Sequence, residues 1–125
     1  MDEKRWKGSL TELAVAKALL KKGYPVSFPF GEIQRYDLIV EIDGVLKKVE
    51  CKNGRYKDGG VQFNCSGTKG PYTDDADFFG VYCIEIDKTY LVPVDRVGVN
   101  SCNLRIEATK NKQNYLYMQA EDYEI

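Results

Sequence analysis

Arg35-Tyr36-Asp37-Leu38-Ile39-Val40-Glu41-Ile42, followed by Asp43-Gly44 and then Val45-Leu46-Lys47-Lys48-Val49-Glu50-Cys51-Lys52, is the stretch that decides the fold. Two apolar, β-branched runs flank an Asp-Gly dipeptide, the strongest short-range hairpin signal, because a two-residue turn of this hand needs positive φ at both positions. Such a turn fixes the register. Ile42 faces Val45, Glu41 faces Leu46, and so on outward until Asp37 lies opposite Glu50. Side chains alternate along strands, so Asp37, Ile39 and Glu41 share a face with Leu46, Lys48, Glu50 and Lys52. Leu38, Val40, Ile42, Val45, Val49 and Cys51 make the other face, which reads as core, with Lys47 its one polar member.

Directly opposed residues have Cβ atoms about 4.5–5.5 Å apart, and like charges at that distance destabilise a hairpin. Asp37 against Glu50 therefore makes sense if a hard divalent cation sits between them. Lys52 follows on the same face, about 6–7 Å along the strand, in reach of a metal-bound water or a phosphate. Paired carboxylates, a metal and a lysine are the parts needed to hydrolyse a phosphodiester. The same residues also fit a plain solvated face whose charges neutralise one another, with Arg35 opposite Lys52.

The chain of 125 residues reads as one domain, with a core over about 7–98 and a C-terminal extension over 99–125. Its 43% hydrophobic content is ordinary, and no run is long enough to span a membrane. The N-terminal Met1-Asp2-Glu3-Lys4-Arg5-Trp6 lacks the apolar centre of an export signal, so an intracellular, cytoplasmic protein is expected. Cys51, Cys65, Cys83 and Cys102 have no Cys-x-x-Cys spacing and read as buried free thiols. There is no histidine, which excludes Ser-His-Asp and Cys-His nucleophiles and most zinc sites. Catalysis must come from carboxylates, lysine and a metal.

The net charge of −1 does not advertise a nucleic-acid binder, but it is unevenly spread. Between Lys47 and Lys69, Lys47, Lys48, Lys52, Arg55, Lys57 and Lys69 oppose only Glu50 and Asp58. Between Asp74 and Asp95 six acids oppose Lys88 alone. One face can thus be locally basic, with Arg35, Arg55, Lys57 and Lys69 as candidate contacts to a nucleic-acid backbone. A solvated charge run explains either half equally well.

Along the chain, residues 9 to about 22 are predicted helical, with Ser9 as N-cap, Glu12 closing a capping box and Gly23 as the stop. Pro25–Phe30 reads as a short edge strand. Asn53 to Gly60 reads as a polar loop tip, Val61–Cys65 as a strand and Ser66–Asp77 as a loop. Phe78–Ile86 and Thr89–Val94 are strands turned at Asp87-Lys88, and another short strand lies around Leu104–Ile106. Tyr115–Tyr123 fits a short helix or an extended tail.

A helix-one glutamate, then Arg35-Tyr36-Asp37-Leu38-Ile39-Val40, then the strand with Glu50 and Lys52, resembles the PD-(D/E)XK nuclease superfamily. Asp77-Phe78-Phe79-Gly80-Val81-Tyr82, Tyr90-Leu91-Val92-Pro93-Val94 and Thr109-Lys110-Asn111-Lys112-Gln113-Asn114 extend the likeness, collinear over roughly residues 7 to 123, to the branch that includes a group I intron-encoded homing endonuclease. Tyr36 stands where the superfamily's name has proline. The resemblance implies an α/β (α+β) domain, a central mixed β-sheet flanked by helices, and Mg²⁺-dependent DNA cleavage, with Mn²⁺ as a substitute. It implies Asp37, Glu50 and the backbone carbonyl of Cys51 as metal ligands, Lys52 as the residue that positions water and stabilises charge, and Glu12 as an assisting carboxylate. An archaeal-type Holliday junction resolvase is the alternative on the same scaffold, and a catalytically inert nucleic-acid-binding or assembly module is the alternative from another class. Cutting a duplex with one site per chain calls for a homodimer or homotetramer.

Overall fold

The computed structural model describes residues 2–31, 33–67, 70–71, 75–98, 100–108 and 118–125. Helix α1 (Glu3–Lys21) is followed by β1 (Val26–Ser27), β2 (Leu38–Ile42), β3 (Val45–Lys57) and β4 (Gly60–Asn64). A small ribbon, β5 (Ser66–Gly67) with β6 (Gly70–Pro71), precedes β7 (Phe78–Cys83) and β8 (Lys88–Pro93). A 3-10 turn at Val94–Arg96, strand β9 (Ser101–Arg105), strand β10 (Met118–Gln119) and a 3-10 turn at Ala120–Asp122 complete the described chain. No described helix is long and apolar enough to cross a membrane.

The expected hairpin forms with the expected register. Leu38 pairs with Val49, Glu41 with Leu46 and Ile42 with Val45. Asp43 and Gly44 both take positive φ, 52° and 79°, as the turn type demands. Leu38, Val40 and Val49 are fully buried and pack with Val15, Ala16 and Leu19 of α1, each such side chain contributing about 1.5–3 kcal/mol of apolar burial. Val45, expected in that core, is instead half exposed, because the hairpin tip lies beyond the part of the sheet that α1 covers.

Strand β3 is the longest and organises the rest. Its first half lies between β2, antiparallel, and β7, parallel from Val49 beside Phe78 to Gly54 beside Cys83. Its second half leaves β7 and pairs with β4 through Arg55–Gln62, Tyr56–Val61 and Lys57–Gly60. β4 pairs with β9 and β9 with β10, so one mixed sheet branches at β3. The branch needs a residue without a side chain: a Cβ on Gly54 would stand 2.7 Å from Val61 Cγ1 and 3.0 Å from Val81 Cγ1. A second core forms there from Val61, Phe63, Phe79, Val81, Tyr90 and Leu104, with the Phe63 and Phe79 rings edge to face at 5.6 Å.

Four expectations change. The helix starts at Glu3, six residues earlier than Ser9, because Asp2 caps it by accepting from the Lys4 and Arg5 amides. Asn53–Lys57 is strand, not loop, and the turn follows at Asp58-Gly59, again with positive φ at both positions. The edge strand after Pro25 holds only Val26 and Ser27, and the loop from Ser66 contains the β5–β6 ribbon. Where the sequence leaves a short helix or an extended tail open, the described end of the chain has both a strand, β10 beside β9, and a 3-10 turn at Ala120–Asp122, and Glu124 bridges to Tyr90; residues 115–117 lie outside the described residues. Thr109–Asn114 and Lys69 lie outside the described residues.

Candidate active site

β2 begins at Leu38, so Asp37 sits where the ladder ends and its side chain replaces the next backbone bond. The Asp37 amide donates to Val49 O at 2.8 Å, and Asp37 Oδ2 accepts from the Cys51 amide at 2.7 Å. Those two contacts fall on the residues immediately before and after Glu50. Glu50 and Lys52 alternate with Val49 and Cys51, so they lie on the face of β3 turned away from α1, level with Phe79 and Val81 of β7.

Glu12 reaches this region from α1, one residue after the buried Thr11. With the helix capped at Asp2, the capping role read for Glu12 falls away. Its carboxyl is pushed above its ordinary range, first by burial and second by the charge of Asp37. The Cys51 thiol is pushed well up, by burial first and then by Asp37, Glu12 and Glu50 in turn. Three carboxylates thus act on one thiol. Thr11 Oγ1 donates to Asn53 Oδ1, which ties the residue beside Glu12 to the residue beside Lys52.

A clamp from the acidic stretch holds the base of the site. Lys48 N donates to Asp77 Oδ2 at 2.8 Å while Asp77 N donates to Lys48 O at 2.9 Å. Arg35 pairs with Asp75 at 2.7 Å, and Lys48 Nζ stands 5.7 Å from the centre of the Tyr36 ring. Arg35, a candidate phosphate contact, is therefore also a structural partner of the segment before β7. Sequence reading missed Asp75 and Asp77 as site supports; their only signal was an acidic run facing a basic one. Arg55 and Lys57 are exposed, two residues apart on β3, away from the carboxylates.

Among the described residues no group of three His, Cys, Asp or Glu side chains stands close enough to form a metal cage by itself. The donors at hand are carboxylate and carbonyl oxygens at Asp37, Glu50 and Cys51, with Glu12 near Asp37. That set suits a hard cation that keeps several waters and takes only one or two protein carboxylates. It fits magnesium better than a metal held in an all-protein cage.

Asp37 at the end of β2, bonded to β3 on either side of Glu50 with Lys52 two residues on, lies in a branched mixed sheet backed by one helix, the fold expected of a PD-(D/E)XK nuclease. Comparison with known proteins agrees: residues 1–125 match the family model described as PD-(D/E)XK endonuclease, and the chain belongs to that family. Among solved structures it is similar to a bacterial homing endonuclease, I-Ssp6803I, at 25% identity and a TM-score of 0.76, covering 99% of this chain and 88% of that one. No curated protein matches.

Proposed function

We propose that this endonuclease hydrolyses DNA phosphodiesters with Mg²⁺, or Mn²⁺ in its place, at Asp37 and Glu50, and that it cuts at selected sequences. The observation that carries the proposal is the seating of Asp37: its amide and carboxylate bind β3 on either side of Glu50. Asp37, Glu50 and the Cys51 carbonyl hold the ion. When bound, the ion polarises the phosphate and lowers the pKa of a coordinated water. Lys52 orients the attacking water and stabilises negative charge on the phosphate oxygens. Glu12, whose carboxyl is raised by burial and then by Asp37, is the assisting carboxylate beside the metal ligands. One such site per chain cuts one strand, so duplex cleavage uses a homodimer or homotetramer.

The test is incubation with supercoiled plasmid, linear duplex and a four-way junction, each with Mg²⁺ or EDTA. Cutting of plasmid or duplex with Mg²⁺ alone, lost in Asp37→Ala, supports the proposal. Cutting restricted to the junction makes the chain a resolvase. Binding without any cutting makes it an inert binding module.

A further inference from the structure

Beyond Gly54 the sheet changes character. From Val61 onward β4 and β9 alternate: Val61, Phe63, Cys102 and Leu104 are buried, Gln62, Asn103 and Arg105 are partly exposed, and Asn64 and Ser101 are exposed, while Gly60 is buried beneath the Asn103 side chain. Arg55 and Lys57 continue that outer face on β3. Register places Arg55 beside Gln62 and Gln62 beside Asn103, one row across three antiparallel strands. The next row is Lys57, Gly60 and Arg105.

We infer that this outer face reads base edges in the major groove of the duplex the enzyme cuts, with Arg55 and Gln62 as the discriminating pair and Lys57 as a phosphate contact. The inference rests on the proposed nuclease activity. Arg, Gln and Asn are the side chains whose paired donors and acceptors match the major-groove edges of guanine and adenine. That groove, about 12 Å wide, admits a two-stranded β-ribbon, which the β3–β4 hairpin supplies.

Four features set the face for such a task. Arg105 is held by Asp58 O at 2.6 Å and Glu107 O at 3.1 Å, so it fixes the β3–β4 turn and leaves reading to its neighbours. Tyr56 Oη donates to Glu107 Oε1 at 3.0 Å, which engages a carboxylate beside the turn. Gly60 lets the Asn103 side chain lie flat on the strand, since a Cβ there would collide with Asn103 Oδ1 and Leu104 O. A hollow between Arg55, Gln62, Asn64 and Ser101 gives the groove edge a place to enter.

The experiment uses the full chain carrying Asp37→Asn, which leaves the sheet face intact, to select duplexes with a randomised centre. A defined motif is expected. In that background Gln62→Ala and Arg55→Ala each relax one position and weaken binding to the selected duplex roughly 5- to 100-fold. Lys57→Ala weakens selected and scrambled duplexes alike and lowers the slope of log affinity on log salt by about one. Lys21→Ala, exposed on α1, alters neither. No motif, a motif indifferent to both Gln62→Ala and Arg55→Ala, or a drop to monomer in sedimentation of Gln62→Ala overturns the inference, the last by giving the face to a second copy. Plasmid nicking by the unaltered chain, run in parallel, separates the cases: nicking with any of those results sinks the reading face alone, whereas neither nicking nor duplex binding sinks both.

Discussion

The two hairpins that share β3 have the same turn and opposite surfaces. Asp43-Gly44 and Asp58-Gly59 both reverse the chain with positive φ at two consecutive residues. Before Gly54, β3 is buried at Val49 on its helix-facing side and brings Lys48, Glu50 and Lys52 to the other. After Gly54, its partners are buried on one side and present Arg, Gln and Asn to solvent. On the function and the reading face proposed above, one strand serves cleavage in its first half and contact in its second. The lesson is that a single glycine, placed where two sheets part, lets one strand belong to both.

The largest effect expected from breaking this division is at Lys52. Lys52→Ala should slow single-turnover cleavage about 10²–10⁴-fold while duplex affinity stays near its original value. Quench-flow cleavage beside fluorescence anisotropy measures both, and a parallel collapse of affinity would place Lys52 on the contact side of the strand.

Next comes the branch itself. Gly54→Ala forces a Cβ against Val61 and Val81 and should cost about 1–3 kcal/mol in urea unfolding. An unchanged midpoint would mean that β3 does not need the glycine to change partners. The two turns then differ in a smaller way. Gly44→Ala meets open space and should cost about 1 kcal/mol for its positive φ alone. Gly59→Ala meets Glu107 and Arg105 as well, and should cost more. Equal losses would remove the packing difference between the hairpins.

The smallest effect is electrostatic. Glu12 is held above the usual carboxyl value near 4.5 by burial and then by Asp37. The folded chain therefore keeps that proton more tightly than the unfolded one. The associated stability is full below the unfolded value and is lost as pH rises through the folded one. Glu12→Gln should flatten unfolding free energy against pH above about 4.5 in metal-free buffer. A slope identical to the unaltered chain's would show that Glu12 does not feel the site.

Much of this was legible in advance because the signals were local. The Asp-Gly dipeptide gave the first register to the residue, and alternation put Leu38, Val40 and Val49 in the core. The same dipeptide at Asp58-Gly59 was hidden by polar neighbours, since Arg55 and Lys57 look like loop until their strand partners are known. Ser9 looked like a cap because helix signals compete, and Asp2, one turn ahead of more helix-forming residues, wins by bonding two free amides. The supports from Asp75 and Asp77 were not legible at all. They arise from a parallel pairing between β3 and β7, and no local pattern encodes which strands meet.

The division of β3 is tested most directly by measuring two quantities, for Lys52→Ala and Gln62→Ala, on one selected duplex: the cleavage rate at saturation and the affinity without metal. Lys52→Ala should lose rate far more than affinity, and Gln62→Ala affinity far more than rate. Equal losses of both quantities in both variants, or the reverse assignment, would contradict the account.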